Sequence, residues 1–148
     1  MNWVRSPLRV LDLDIENRPL SYLGSDYTTA EVTAIACGWT NKSRVHVWLL
    51  GQNTPQEMLL GFLGLYEQAD MVTGHYLRKH DLPMLSGALL EYGLGPMGAK
   101  LASDTCLDLV KHKDLSGAQE ALAGMYGLPR HKHHMSQPQW REATRLTP

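Results

Sequence analysis

The chain has 148 residues, 43% of them hydrophobic and 20% charged, with a formal net charge of −1. That length suits one domain with a proper core, and the near-neutral balance argues against a general polyanion binder, which carries a clear basic excess. No stretch approaches the roughly 18 unbroken apolar residues of a membrane span. Met1–Arg5 lacks the apolar core of a signal peptide, so a cytoplasmic protein is expected. Cys37 and Cys106 are too few and too scattered for a disulfide framework or a zinc knuckle, and read as small buried residues.

Taken in order, Leu8–Asn17 alternates Leu11, Leu13 and Ile15 with Asp12, Asp14 and Glu16, the side-chain period of a β-strand. A polar loop with Pro19, Gly24 and Ser25 follows, then an apolar, β-branched strand over Glu31–Trp39 and a third strand over Arg44–Leu50 that pairs back as a hairpin. Thr54, Pro55 and Glu57 announce a helix through a capping box, and Met58, Leu59, Phe62, Leu63 and Tyr66 form its core stripe. Met71–His75 is a short strand which, arriving after a helix, should lie parallel to the first.

A second helix is expected over Leu82–Tyr92 with Gly93 as its stop, then a last strand over Lys100–Cys106 and a short helix over Leu107–Lys113. Ser116 should cap a helix ending at Gly127. From residue 129 the chain reads as a basic, His-rich tail in which Ser136–Gln139 caps one more helix, with Trp140, Ala143 and Leu146 facing inward. The order βββ, α, β, α, β and then helices predicts a single α/β domain with a mixed five-stranded sheet and flanking helices, the first three strands antiparallel.

The chemistry sits on the first strand. Asp12, Asp14 and Glu16 share one face, and Asp14 and Glu16 lie roughly 7 Å apart along an extended strand, close enough to converge on one divalent ion. A solvated edge strand using charge against aggregation is the plainer reading of the same acids. Far along the chain, Asp81 stands just before a helix, where it can simply favour the helix dipole or can supply a third carboxylate.

Three stretches carry a resemblance: Leu-Asp-Ile-Glu at 13–16, Gly-His-Tyr-Leu-Arg-Lys-His-Asp-Leu-Pro-Met-Leu at 74–85, and Ser-Asp-Thr-Cys-Leu-Asp-Leu at 103–109. In this order the chain resembles the DEDD-type 3′–5′ exonucleases of the ribonuclease-H-like superfamily, which includes polymerase proofreading domains. Asp14 and Glu16 match the family's first motif, Asp81 its second, and Asp104 with Thr105 the Asp-Thr common after the fifth strand. Tyr76 and His80 depart from the Asn and Phe frequent in the second motif. The third motif, a His or Tyr followed by a fourth Asp, has no counterpart, since no Asp lies beyond Asp114. The domain is therefore expected to be C-terminally incomplete.

The resemblance implies a two-metal phosphodiesterase. Asp14 would bridge two Mg²⁺ or Mn²⁺ ions, Glu16 would hold the catalytic-side ion and Asp81 the second, with a single-stranded nucleic acid 3′ end as substrate. With the fourth acid and the His or Tyr base absent, activity should be weak unless a polymerase or another chain completes the site; His131, His133 and His134 are candidate substitutes for the base. The alternative is a non-catalytic module of exonuclease fold that binds nucleic acid or a polymerase partner through Arg78, Lys79, Lys111, Lys113, Arg130 and Lys132, with Tyr76 stacking. Structural zinc at the histidines matches no strong spacing pattern. An incomplete fold would also leave apolar surface open, making a dimer a reasonable expectation.

Overall fold

The computed structural model describes residues 7–20, 30–110, 114–129 and 133–145. Its strands are β1 (Val10–Pro19), β2 (Ala30–Trp39), β3 (Val45–Leu49), β4 (Met71–Gly74) and β5 (Leu101–Asp104). The helices are α1 (Pro55–Gln68), α2 (Asp81–Glu91), α3 (Gln119–Met125) and α4 (Gln137–Arg145), with a π-helical turn over Thr105–Val110 between β5 and α3. The sheet runs β3-β2-β1-β4-β5. The first three strands form an antiparallel meander, and β4 and β5 join β1 in parallel.

The alternation read from β1 sorts its two faces. Leu11, Leu13 and Ile15 are buried against α1 and α2 with Ile35, Phe62, Leu85 and Leu89, all in one core. α1 starts where its cap dictates: Thr54 Oγ1 accepts the Glu57 N–H at 3.2 Å, and Glu57 Oε2 accepts the Thr54 N–H at 2.8 Å. Of its expected stripe, Met58, Leu59, Phe62 and Tyr66 are buried, and Leu63 packs half-buried beside them. Gly61 lets α1 approach β3, since a Cβ there would stand 2.6 Å from the Trp48 ring. α2 ends in a Schellman turn: Gly93 takes φ 63°, its N–H reaches the Leu90 carbonyl, and Leu94 N–H reaches that of Leu89.

The other face of the sheet is open. Asp12, Asp14 and Glu16 stand there beside Gly38, Ala36 and Ala34 of β2, which in turn pair with Val45, Val47 and Leu49 of β3. Val45 is 59% and Val47 55% exposed, so no described element covers this side of the meander. A register shift between Glu16 and Asn17 makes a β-bulge at the end of the acid row; such bulges bend the strand and change side-chain aim.

Several expectations from the C-terminal third are corrected. Ser116 does not cap α3; Ala118 occupies that position without a side-chain bond, and the Ser116 hydroxyl instead accepts the Ala118 N–H at 3.4 Å. The last strand is shorter than Lys100–Cys106: it ends at Asp104, still paired with Gly74, because the π-helical turn starts at Thr105. The segment after it is a π-helical turn rather than a helix from Leu107. α4 does begin at Ser136, whose Oγ accepts the Gln139 N–H at 3.4 Å while Gln139 Oε1 accepts the Ser136 N–H at 2.7 Å. Trp140 and Ala143, however, are exposed rather than inward. Leu146, and the tail residues 130–132 and 146–148, lie outside the described residues. Both cysteines are buried and free.

Candidate active site

β4 is short, and that shapes the site. It pairs with β1 only from Val10↔Met71 to Asp12↔Thr73. Beyond Asp12 the neighbouring edge of β1 has no ladder partner, yet the backbone there is buried and needs one. Asp81, the first residue of α2, fills the gap: its Oδ1 accepts the Ile15 N–H at 3.0 Å. The third acid thus meets β1 between Asp14 and Glu16, through a bond to Ile15 that spans 66 positions of sequence.

Asp81 is 3% exposed, whereas Asp14 and Glu16 are solvent-exposed. Burial, and next the charge of Asp14, raise the Asp81 carboxyl to about 6, against the opposing pull of the Ile15 N–H and His80. Burial and Asp14 also raise Asp12. Asp14 thus acts on both of these carboxyls.

The turn before Asp81 is tightly built. Gly74 passes so close to β1 that a Cβ would stand 2.7 Å from the Leu13 carbonyl. Tyr76 adopts φ 61°, a left-handed conformation rare for an aromatic residue, and the residue is 45% exposed. Its carbonyl accepts the His80 N–H at 3.0 Å. Fully buried Asp104 holds this turn to β5: Oδ1 accepts the N–H groups of Tyr76, Cys106 and Leu107, and Oδ2 that of Arg78, each at 3.0 Å. Burial works against that charge, but the N–H groups outweigh it and hold the Asp104 carboxyl below the usual carboxylate range.

The candidate nucleic-acid contacts fare differently. Lys79 and Tyr76 are both exposed. Arg78 is engaged: its guanidinium forms a two-pronged pair with Asp108 and also donates to the Ala102 carbonyl at 3.1 Å. Lys111, Lys113, Arg130, Lys132 and His131 lie outside the described residues. His134 Nε2 meets Glu120 Oε2 at 2.6 Å, tying it to α3. The sequence reading singled out Asp104 by resemblance alone and missed Asp108, whose i,i+4 spacing from Asp104 was the available signal. It also missed the His75 clamp, in which Nδ1 meets Thr105 Oγ1 at 2.9 Å and Nε2 the Gly117 carbonyl at 2.6 Å.

A cavity of about 630 Å³ opens along α2. Leu20, Met58, Lys79, His80, Met84 and Tyr92 are among its lining residues, and Asp14, Glu16 and Asp81 are not. Its size is that of pockets for small molecules.

The donor set suits a hard cation, being carboxylate oxygen throughout. Asp14 and Asp81 are close enough to perturb one another, and a buried carboxylate at that position favours a positive neighbour. Among the described residues no group of three His, Cys, Asp or Glu side chains is arranged to hold a metal ion, the group of Asp14, Glu16 and Asp81 included.

The arrangement of sheet and helices defines the class as an α/β fold of the ribonuclease-H-like kind. No family model matches the chain, and no curated protein matches it significantly. Among solved structures it is similar to the family B DNA polymerase from the hyperthermophilic archaeon Pyrobaculum calidifontis, with a TM-score of 0.61 and 21% identity. The match covers 84% of this chain and 19% of the polymerase chain, so this chain spans about a fifth of that protein's length. No described helix is long and apolar enough to cross a membrane.

Proposed function

We propose that this domain is a metal-dependent 3′–5′ exonuclease-type phosphodiesterase acting on the end of a single strand of DNA or RNA. One observation carries the reading: the carboxylate of Asp81 is bonded to β1 at Ile15, between Asp14 and Glu16, and shares an electrostatic environment with Asp14. Asp14 and Asp81 would hold a Mg²⁺ or Mn²⁺ ion, with Glu16 extending the acid row. When bound, such an ion supplies Lewis-acid stabilisation of a phosphoryl group and a water nucleophile available at neutral pH.

The residues of the chain itself do the rest. The cavity beside α2 gives an apolar seat for one terminal base, and Lys79 at its edge attracts the phosphate. Exposed Tyr76 offers a stacking surface for a neighbouring base. Two or three carboxylates without a nearby base support slow turnover, and the strongest activity is expected where another segment or chain adds an acid and a proton acceptor.

The absence of a three-ligand group among the described residues favours a second reading, a non-catalytic nucleic-acid-binding or polymerase-partner module of the same fold. One assay separates the two. A 5′-labelled single strand is incubated with the protein and Mn²⁺, with and without EDTA. Stepwise loss from the 3′ end that disappears with EDTA and with Asp14→Ala supports the enzyme. Binding without shortening, indifferent to Asp14→Ala, supports the module.

A further inference from the structure

We propose that Asp104 is a positioning residue for the acid site: by holding the Tyr76–His80 turn, it fixes where Asp81 meets β1. The chain of contacts is continuous. Asp104 lies at the end of β5, opposite Gly74 in the parallel register. Its two oxygens take the N–H groups of Tyr76 and Arg78, the first and third residues of the turn. The Tyr76 carbonyl takes the N–H of His80, the residue that immediately precedes Asp81. Asp81 Oδ1 then takes the Ile15 N–H.

The turn needs such a holder. Tyr76 sits in a left-handed conformation that costs a non-glycine residue energy and persists only where its surroundings impose it. A neutral side chain at 104 would not gather four N–H groups at once; a carboxylate, with two oxygens and about four acceptor sites, does. Asp108 backs the arrangement from outside. Its Oδ2 accepts the Asp104 N–H at 2.8 Å and an Arg78 guanidinium N–H at 2.9 Å, so the backbone and side chain of Arg78 are both tied to the same corner. Asp104 touches no substrate or cation in this scheme and acts through the turn.

The test is amide hydrogen exchange in the full chain, comparing wild type with Asp104→Asn. The amide keeps the size of the side chain but replaces one acceptor oxygen with a donor, breaking the bond to the Arg78 N–H. The expected result is a rise in exchange at Ile15 of about tenfold or more, with Ile35 and Cys37 of β2 unchanged. A rise at Ile15 shared in proportion by β2 marks Asp104 as structural only and overturns the proposal, as does no rise. Should Asp104→Asn not fold, Asp108→Asn carries the same comparison with a smaller selective rise expected, and an unchanged Ile15 amide overturns the proposal.

Mn²⁺ affinity by electron paramagnetic resonance gives the second arm, which rests on the cation reading above. Affinity in Asp104→Asn should fall about tenfold or more. Weakened binding with an unchanged Ile15 amide overturns the positioning route. A wild-type chain that binds no Mn²⁺ refutes the cation reading and leaves the exchange result to decide this one.

Discussion

Asp81 supplies to Ile15 the acceptor that β4 stops too early to provide, at 3.0 Å and out of solvent. Removing it leaves a buried N–H without a partner, which costs about 1–3 kcal/mol. At about pH 4, where ionisation adds no cost, Asp81→Ala should lose stability of that order in urea unfolding. Asp81→Asn retains an acceptor oxygen and should stay close to wild type at that pH, while losing Mn²⁺ binding at neutral pH. Equal stability of the two variants would show that the bond to Ile15 contributes little.

The same carboxyl sets a pH dependence. Raised in the fold from 3.8 to about 6 by burial and then by Asp14, it binds its proton more tightly folded than unfolded. Ionising it therefore costs stability, with no cost below the unfolded value and the full cost above the folded one. Between about pH 4 and pH 7, Asp81→Asn should gain on wild type by up to about 3 kcal/mol in unfolding free energy, and saturating Mn²⁺ should remove the gain. A difference that stays flat across this range would contradict the assignment.

Arg78 and Lys79 are adjacent in sequence but differ in engagement. Arg78 is bound up with Asp108 and the Ala102 carbonyl, while Lys79 is exposed at the cavity edge. In fluorescence anisotropy with a labelled single strand, Lys79→Ala should weaken binding more than Arg78→Ala. It should also reduce the slope of log affinity against log salt by about one, the loss of a single phosphate contact. The reverse ranking would mean that Arg78 leaves Asp108 for the ligand.

Gly61 buys the close approach of α1 to Trp48. Alanine gains about 1 kcal/mol of helix propensity over glycine, but overpacking costs about 1–3 kcal/mol, and the ring lies 2.6 Å from the new methyl position. Gly61→Ala should be net destabilising by about 1 kcal/mol in urea unfolding, and in a Trp48→Ala background the same change should stabilise.

Cys37 is 1% exposed, and burial, followed by Asp12, pushes its thiol up to about 12. The thiolate is the reactive form. Cys37 should resist a disulfide reagent at mild alkaline pH in the folded chain and react once urea unfolds it. Fast native labelling at Cys37 would show that β2 opens locally.

The sheet was legible wherever short-range pattern and packing agree. The period-two alternation of β1, the Thr54–Glu57 box and the Gly93 stop each encode their structure within a few residues. The parallel placement of β4 followed from the intervening helix. What sequence hid is decided by distant partners. Arg78 looks like a solvated cation until Asp108, 30 positions on, is folded against it. Ser116 has the right chemistry for a cap, yet its hydroxyl accepts the Ala118 N–H and α3 starts only after Ala118. Trp140 and Ala143 have helical spacing, but spacing cannot supply the surface against which they would pack. At the site, the acid positions could be named from their order in the chain. That Asp81 would reach a backbone N–H rather than form a compact three-acid cluster depends on where β4 ends.

The open side of the meander has a colloidal consequence. Val45, Val47 and Leu49 form an apolar strip one strand away from the acids of β1, and only charge separates two such sides when molecules meet. Those acids act as gatekeepers against edge and face association. Acidification, or saturation with a divalent cation, would discharge the row and turn this side adhesive, so light scattering should climb under just those conditions. On the proposed reading, the groups that would gather a cation are then also the ones expected to keep the protein dispersed.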